Sequence, residues 1–278
     1  DTQINRPIEE KTMLLVLTGP KTGTRILIAP EMGRITLGRD EGADLPLHDE
    51  SASRQHCVIS FEGDRWFIED LKSTNGTYVA HQFIDRVPLE NGDLIAVGRT
   101  VFRFFFSQEL EACYREEIHR LAIIDSLTQV HNCRYLTDFV DREMSRCRRR
   151  KHPMSILLFE VIGFASINQR YGHLSGDHVL REVAGRLVRR VRREELLARY
   201  NENQFAIVLP ETTMDDAHKF AEIIEHTISI MDVKFDGWTI PVSIRTGVSQ
   251  FNESMSQPEE LLAAGKAELI AAHPSSEA

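Results

Sequence analysis

Residues 199–205, Arg-Tyr-Asn-Glu-Asn-Gln-Phe, lie between two short apolar runs in the second half of the chain. Residues 196–198 lead in, and residues 206–209 lead out and stop at a proline. Two apolar runs around a polar tetrapeptide predict a β-hairpin. Asparagine tolerates positive φ, so Asn201 and Asn203 suit a tight tip. Taken alone, the stretch favours a surface hairpin with no further role, because loops are polar by default.

Length and composition restrict the class of protein. The chain has 278 residues, 42% of them hydrophobic, which is enough for about two domains with separate cores. The net charge of −9 argues against general nucleic-acid binding. No apolar run approaches the roughly 18 residues that span a membrane, so no membrane association is expected. The cysteines lack metal-ligand spacing and predict free thiols in a reducing cytoplasm; they are Cys57, Cys113, Cys133 and Cys147.

The first half reads as a sandwich of β-strands. Residues 1–12 are polar and predict a flexible tail. From residue 13 to residue 106, short apolar or alternating runs are separated by turn residues, with no helical period. This pattern predicts an all-β sandwich.

Four short clusters of residues lie in the predicted loops between these strands: Gly38-Arg39, residues 53–56, residues 73–77, and residues 89–93 followed by Gly98. In this order and spacing the first half resembles a forkhead-associated (FHA) domain. The resemblance implies a module that binds phosphothreonine peptides.

The resemblance assigns five residues to the phosphopeptide. Arg39 would make a bidentate contact to the phosphate, Ser53 would donate from its hydroxyl, and Arg54 would supply a second cation. Thr74 and Asn75 would hold the peptide backbone beside the phosphothreonine.

Two further expectations concern this module. The resemblance implies that His56 is a buried brace between loops and has no catalytic role. Thr2 and Thr12 precede the sandwich, so phosphorylation there would create an internal ligand for the module.

Residues 107–124 connect the halves with an apolar period of three and four, typical of a helix. The helix is either a rigid strut or a short coiled-coil seam that forms a homodimer. It is shorter than three heptads, which favours the strut.

The second half begins with Asp125-Ser126-Leu127-Thr128, and later contains Asn168, Tyr171-Gly172-His173 and Gly176-Asp177. With the 199–205 hairpin, these motifs resemble the GGDEF (diguanylate cyclase) family over residues 125–278, with Gln129 in place of a glycine. The resemblance and the element order imply an α/β domain whose mostly antiparallel central sheet lies between helices. We expect helices at 136–150, 179–192, 215–230 and 258–272.

The resemblance implies a reaction in which two GTP molecules, one on each subunit of a dimer, are joined into cyclic di-GMP with the help of metal ions. The family's metal-binding and loop positions fall on Glu160, Ile162, Asn201, Glu202, Asn203 and Gln204. Only the first keeps an acid at a metal-binding position. The family's glycines, which let backbone approach the nucleotide, are replaced by Asn201 and Glu202.

Two groups of residues keep a possible ligand role. Asn168 and Asp177 stand at guanine-reading positions; the alternative is that they cap helices or loops. Arg192 and Glu195 stand where the family has its RxxD product-inhibition motif, so they would bind cyclic di-GMP. The alternative there is a solvated, arginine-rich helix end over residues 189–193.

From the sequence we therefore predict a cytoplasmic bacterial signalling protein. Its FHA module binds a phosphothreonine protein, and its degenerate GGDEF domain is non-catalytic and serves for interaction or nucleotide sensing. We expect no resident cofactor, with Mg²⁺ present only if nucleotide binding persists. The alternatives are an active diguanylate cyclase with an unusual loop and a cyclic di-GMP receptor.

Overall fold

The computed structural model describes residues 11–107 and 110–271. The chain divides into two compact units, with the boundary between Leu121 and Ala122. Each unit has its own hydrophobic clusters.

The first unit is a β-sandwich. A six-stranded sheet has the order β2-β1-β11-β10-β7-β8, and a five-stranded sheet has the order β4-β3-β5-β6-β9. The strands are β1 (Lys11–Thr18), β2 (Arg25–Ile28), β3 (Arg34–Gly38), β4 (Leu45–Pro46), β5 (Cys57–Glu62), β6 (Arg65–Asp70), β7 (Thr77–Val79), β8 (Gln82–Ile84), β9 (Arg86–Pro88), β10 (Leu94–Val97) and β11 (Thr100–Ser107). The predicted all-β sandwich is confirmed.

Strand β1 is buried on both faces, which explains its continuous apolar run. Leu14 and Val16 point between the two sheets. Met13 and Leu15 point the other way, into a second cluster on the outer face. Side chains alternate along a strand, so one strand serves both clusters.

The tail is shorter than predicted. Strand β1 already begins at Lys11, and Thr12 is only 2% exposed. Its hydroxyl oxygen accepts a hydrogen bond of 3.1 Å from Trp66 Nε1. A kinase cannot reach this hydroxyl in the folded strand, so the prediction that phosphorylated Thr12 is an internal ligand of the module is wrong. Thr2 lies outside the described residues.

The connector forms helix α1 (Leu110–Ile123), and its apolar side packs on the first unit. Leu110, Tyr114 and Ile118 cover the outer face of the six-stranded sheet. Glu117 also pairs with Arg103 of β11 at 3.4 Å, and both side chains are largely buried. The predicted helix is present, and its apolar positions contact the sheet of the first unit and so do not face outward as a coiled-coil seam.

The second unit is a four-stranded antiparallel sheet between helices, as predicted. The sheet order is β13-β14-β12-β17, and β15 and β16 form a separate hairpin. The elements are α2 (Cys133–Arg150), β12 (Met154–Val161), α3 (Phe164–Tyr171), α4 (His173–Val188), β13 (Leu196–Arg199), β14 (Gln204–Pro210), α5 (Met214–Ser229), β15 (Val233–Phe235), β16 (Trp238–Ile240), β17 (Ile244–Gln250) and α6 (Pro258–Ala271).

The central strand β12 supplies both cores of this unit. Leu157 and Phe159 face the helices α3, α4 and α5, and the Phe159 ring stacks on Phe205 at 5.1 Å. Ile156 and Leu158 face α2 and α6. Because both faces are covered, β12 is apolar except at Ser155 near its start and at Glu160 near its end.

One predicted helix is displaced. We expected residues 179–192, but α4 spans His173–Val188. Its first two turns include polar residues that interrupted the apolar period. Gly172, at a φ of 86°, separates α4 from α3. The arginine-rich segment 189–193 lies beyond the helix and not at its last turn.

Among the residues that the structure describes, no helix combines the length and the apolar character that crossing a lipid bilayer requires.

Candidate functional site

The 199–205 stretch is the predicted β-hairpin, joining β13 to β14. The backbone N–H of Tyr200 donates to Gln204 O at 2.8 Å, and the Arg199 guanidinium donates to Glu202 O at 2.7 Å. Neither Asn201 nor Asn203 has a positive φ, contrary to expectation. The tip is long enough to reverse the chain without the left-handed conformation.

Arg199 also anchors the hairpin to the start of the unit. Its guanidinium lies 3.2 Å from Asp125 Oδ1. Asp125 Oδ1 also accepts hydrogen bonds from the backbone N–H and the hydroxyl of Thr128. Gln129 follows this turn with a φ of 59°, where a glycine would be unstrained.

The carboxylate of Glu160 is enclosed by polar side chains from both neighbouring strands. In the sheet register Glu160 lies opposite Gln204 of β14 and opposite Arg245 of β17. Directly paired residues project to the same face of a sheet. Glu160 Oε2 therefore accepts from Gln204 Nε2 at 3.1 Å and from Arg245 Nε and Nη2 at 3.2 and 3.0 Å.

Asn203 occupies the other oxygen. Its Nδ2 donates to Glu160 Oε1 at 3.2 Å and to Val161 O at 3.1 Å. A backbone carbonyl only accepts hydrogen bonds, so this contact defines which side of the amide carries the nitrogen. The amide nitrogen, and not its oxygen, faces the carboxylate.

These contacts keep Glu160 ionised. Burial alone would raise the pKa of this carboxyl. The hydrogen bonds from Arg245, Gln204 and Asn203 and the positive charge of Arg245 outweigh burial, so the pKa lies below its ordinary value.

A cleft of 490 Å³ opens beside the hairpin tip. It is lined by Phe164, Ala165, Asn168, Gln169, His173, Glu202 and Asn203. Asn168 Oδ1 is buried and has no hydrogen-bond partner among the described residues. A Cβ on Gly176 would lie 1.9 Å from this oxygen, so glycine at this position leaves room for the Asn168 side chain. A buried acceptor without a partner, on a residue that lines the cleft, is one observation in favour of a ligand.

Neither guanine-position residue is a helix cap. The residues before α3 and α4 are Gly163 and Gly172, and Asn168 and Asp177 lie inside the helices. The helix-capping part of the alternative is therefore wrong, and the loop-capping part stays a prediction. Asp177 does not line the cleft but is engaged in interactions of its own.

Arg192 and Glu195 form a tight turn before β13. The Glu195 carboxylate accepts a 2.7 Å hydrogen bond from the backbone N–H of Arg192, and its side chain is 8% exposed. The Arg192 side chain is 75% exposed and lies 3.9 Å from the same carboxylate. Glu195 thus braces the turn, while the Arg192 guanidinium extends into solvent.

In the first unit, the predicted phosphopeptide residues come together from three loops. The Ser53 hydroxyl accepts from the Thr74 N–H at 2.9 Å, and Arg39 N donates to Ser53 O at 3.0 Å. A Cβ on Gly38 would lie 2.1 Å from Arg54 O, so this glycine allows two of the loops to touch.

Asn75 Nδ2 donates to Ser51 O at 2.7 Å. The guanidinium groups of Arg39 and Arg54 make no ion pair within the part of the chain that the structure describes.

His56 holds these loops from below, as predicted. It is completely buried; Nδ1 accepts from Ser53 N–H at 3.0 Å, and Nε2 lies 3.0 Å from Gly76 O. Because Nδ1 accepts, the proton sits on Nε2. One ring therefore links the Ser53 loop to the loop that carries Thr74 and Asn75.

Comparison with known families agrees with both units. A family model described as "FHA domain" matches residues 35–98, and one described as "Diguanylate cyclase, GGDEF domain" matches residues 122–276, more than half of the chain.

The chain belongs to the GGDEF family.

Its relatives resemble mainly the second unit. Response regulator PleD of Caulobacter vibrioides is 38% identical over 186 residues, covering 60% of this chain and 41% of PleD. Diguanylate cyclase DosC of Escherichia coli K12 is 32% identical over 139 residues, covering 49% of this chain and 30% of DosC. The solved coiled coil and GGDEF domain of DgcB from Caulobacter crescentus, in complex with c-di-GMP, shows the same fold, with a TM-score of 0.55 at 22% identity over 59% of this chain and 87% of the solved DgcB fragment. The chain thus spans less than half the length of these two curated relatives.

The residues at this GGDEF domain's metal positions do not fit Mg²⁺. Mg²⁺ requires oxygen ligands in near-octahedral geometry. Here the one carboxylate, Glu160, already faces a guanidinium and two amide nitrogens, and Ile162 is apolar and 44% exposed. Within residues 11–107 and 110–271, no group of three or more His, Cys, Asp or Glu side chains is arranged to hold a metal ion.

Sequence reasoning missed Arg245. It lies 85 residues after Glu160, and no motif marks it. The available signal was charge: Arg245 is the one charged residue of the strand-like segment 238–250, and Glu160 is the one charged residue of β12.

Proposed function

We propose that this chain is an adaptor in cyclic di-GMP-related signalling. Its FHA domain binds a phosphothreonine peptide, and its GGDEF domain makes no cyclic di-GMP and serves as an interaction or nucleotide-sensing module. The observation that carries the proposal is the contact between Arg245 and Glu160 at 3.0 Å in the family's metal site.

The cyclase reaction needs positive charge that bridges triphosphate oxygens as the 3′ oxygen attacks. The positive charge of Arg245 is paired with the Glu160 carboxylate within the protein. Neutral Asn203 replaces the second acid, and Glu202 lines the cleft with an exposed negative charge. Loss of several groups that act on one charge cluster lowers rate by orders of magnitude.

The non-catalytic assignment of the GGDEF domain is tested by incubating the purified chain with GTP and Mg²⁺ or Mn²⁺ and measuring cyclic di-GMP by mass spectrometry. We expect no product above the level without protein, whereas Diguanylate cyclase DosC serves as the positive control. Steady synthesis by this chain would refute the non-catalytic assignment.

A cyclic di-GMP receptor is the second candidate, and the exposed guanidinium of Arg192 favours it. Arginine binds phosphate and stacks on guanine. If Arg192 binds cyclic di-GMP, calorimetric titration with cyclic di-GMP detects binding to the wild-type chain. The Arg192→Ala variant should lose this binding, and the neighbouring Arg190→Ala variant should keep it. Equal loss in both variants would indicate general attraction to a basic surface.

The FHA half of the proposal rests on two arginines without carboxylate partners, Arg39 and Arg54, on the loops that meet at Ser53. A phosphate dianion needs charge-assisted donors of this kind on a rigid frame. In calorimetry with phosphothreonine peptides, Arg39→Ala should weaken binding at least tenfold, since a charged hydrogen bond contributes about 1.5–3 kcal/mol. The matched control is Arg65→Ala at the start of β6, which pairs with the end of β5 that lies away from the Ser53 loop and should leave binding unchanged. Unaltered affinity in Arg39→Ala would contradict the assignment.

A further inference from the structure

A short hairpin follows the phosphopeptide loop directly. Strands β7 and β8 pair so that Tyr78 lies opposite Phe83. The two residues between the strands, Ala80 and His81, both have positive φ, at 47° and 68°. Such a two-residue turn holds a hairpin tightly in one register. Both rings therefore occupy defined positions next to the loop.

Phe83 is 58% exposed although it is apolar, and it lies on β8, an edge strand of the six-stranded sheet. Its ring meets the Tyr78 ring edge-on, with centroids 5.9 Å apart and an interplanar angle of 72°. Edge-to-face pairing is a favoured aromatic geometry. The pair orders the Phe83 ring without burying it.

The two rings flank the backbone of Gly76. A Cβ at this residue would lie 2.7 Å from Phe83 Cδ2 and Cε2 and 3.5 Å from Tyr78 Cε2. Gly76 follows Asn75, and its carbonyl oxygen is the partner of His56 Nε2. The aromatic surface is thus continuous with the loop that is expected to hold the phosphopeptide backbone.

We propose that Tyr78 and Phe83 form a side-chain subsite that selects an aliphatic or aromatic residue of the phosphothreonine peptide. This inference rests on the proposed FHA function and adds the sequence preference of the partner. A peptide held at Thr74 and Asn75 passes the exposed ring, and an apolar side chain placed there buries the face of Phe83.

Isolated exposed apolar residues are ordinary on protein surfaces. Leu27 provides the comparison inside the same unit: it is 57% exposed and lies on β2, at the opposite edge of the same sheet. Phe83 differs because its ring rests against the ligand loop, whereas Leu27 is on a strand remote in sheet order from β7.

The test uses the full chain and a library of phosphothreonine peptides with randomised flanking residues. We expect enrichment of aliphatic or aromatic residues at one defined position from the phosphothreonine. For an enriched peptide, Phe83→Ala should weaken binding about tenfold, the size of one well-placed apolar contact. Leu27→Ala should leave affinity unchanged, and Phe83→Leu should keep the preference for aliphatic residues.

Substitution of alanine in the enriched peptide should abolish the difference between the wild type and Phe83→Ala. If phosphothreonine peptides bind but show no apolar preference, or if Phe83→Ala keeps the preference, the subsite is refuted while the FHA assignment survives. If no phosphothreonine peptide binds the wild-type chain, both proposals fail.

Discussion

At the residue scale, the guanidinium of Arg245 and the side-chain amide of Gln204 contact the same carboxylate oxygen from opposite strands. A guanidinium differs from a bound metal ion because it is tethered to its strand and supplies only N–H donors, so it offers no open coordination position for a phosphate oxygen. Glu160 is thereby paired within the sheet, with Arg245 as its charged partner.

We predict that Arg245→Ala lowers the free energy of unfolding of the GGDEF domain by about 1–2 kcal/mol at neutral pH, since it removes charged hydrogen bonds from a largely buried carboxylate. The folded pKa of Glu160 is lowered, so the stabilisation is present above the ordinary carboxyl pKa and is lost as the pH falls through the folded value. The difference between wild type and Arg245→Ala in urea unfolding should therefore shrink on acidification.

The exposed pair Lys219–Asp216, at 3.0 Å, gives the control. Lys219→Ala should change stability little, because water and salt screen an exposed ion pair. A difference for Arg245→Ala that is independent of pH would show that Glu160 is not its partner in solution.

At the scale of the element, α1 illustrates the limit of reading periodicity. Its apolar positions predict a helix correctly, but a period does not say which surface it packs against. The outer face of the six-stranded sheet carries its own apolar residues, Met13 and Leu15, and these need cover. Helix α1 provides that cover, so it belongs to the FHA unit in packing terms.

We predict that Ile118→Asp destabilises the FHA unit by about 2 kcal/mol or more, because it places a charge against the apolar outer face of the sheet. Glu116→Ala, on the exposed side of the same helix, should have little effect. Thermal unfolding followed by circular dichroism measures both variants. Equal stability of Ile118→Asp and wild type would mean that α1 is undocked in solution.

At the scale of the whole molecule, the two units have separate cores, and each contains one of the two tryptophans. Trp66 is buried in the sandwich, and Trp238 is 57% exposed in the GGDEF domain. A ligand that binds a folded unit stabilises that unit by mass action. The fluorescence of each tryptophan can therefore report which unit a ligand binds.

We predict that a phosphothreonine peptide at one hundred times its dissociation constant stabilises the unit that contains Trp66 by about 2.7 kcal/mol. The measurement is urea unfolding of Trp238→Phe, in which Trp66 is the only tryptophan. The unphosphorylated peptide should leave the transition in place. A peptide that binds by calorimetry yet does not shift the Trp66 transition would place its site outside the FHA unit.

The sequence by itself determined the two fold classes and the hairpin at 199–205, because these depend on local patterns and on motif order. The binding roles of the five loop residues from Arg39 to Asn75 stay a prediction. Only the tertiary structure decided that Thr12 is buried under Trp66, that α1 covers a sheet, that α4 starts six residues earlier than its apolar period, and that Arg245 meets Glu160. Each of these depends on contacts between residues far apart in the chain. Strand register and packing partners arise from the fit of whole faces, which no local run of residues contains.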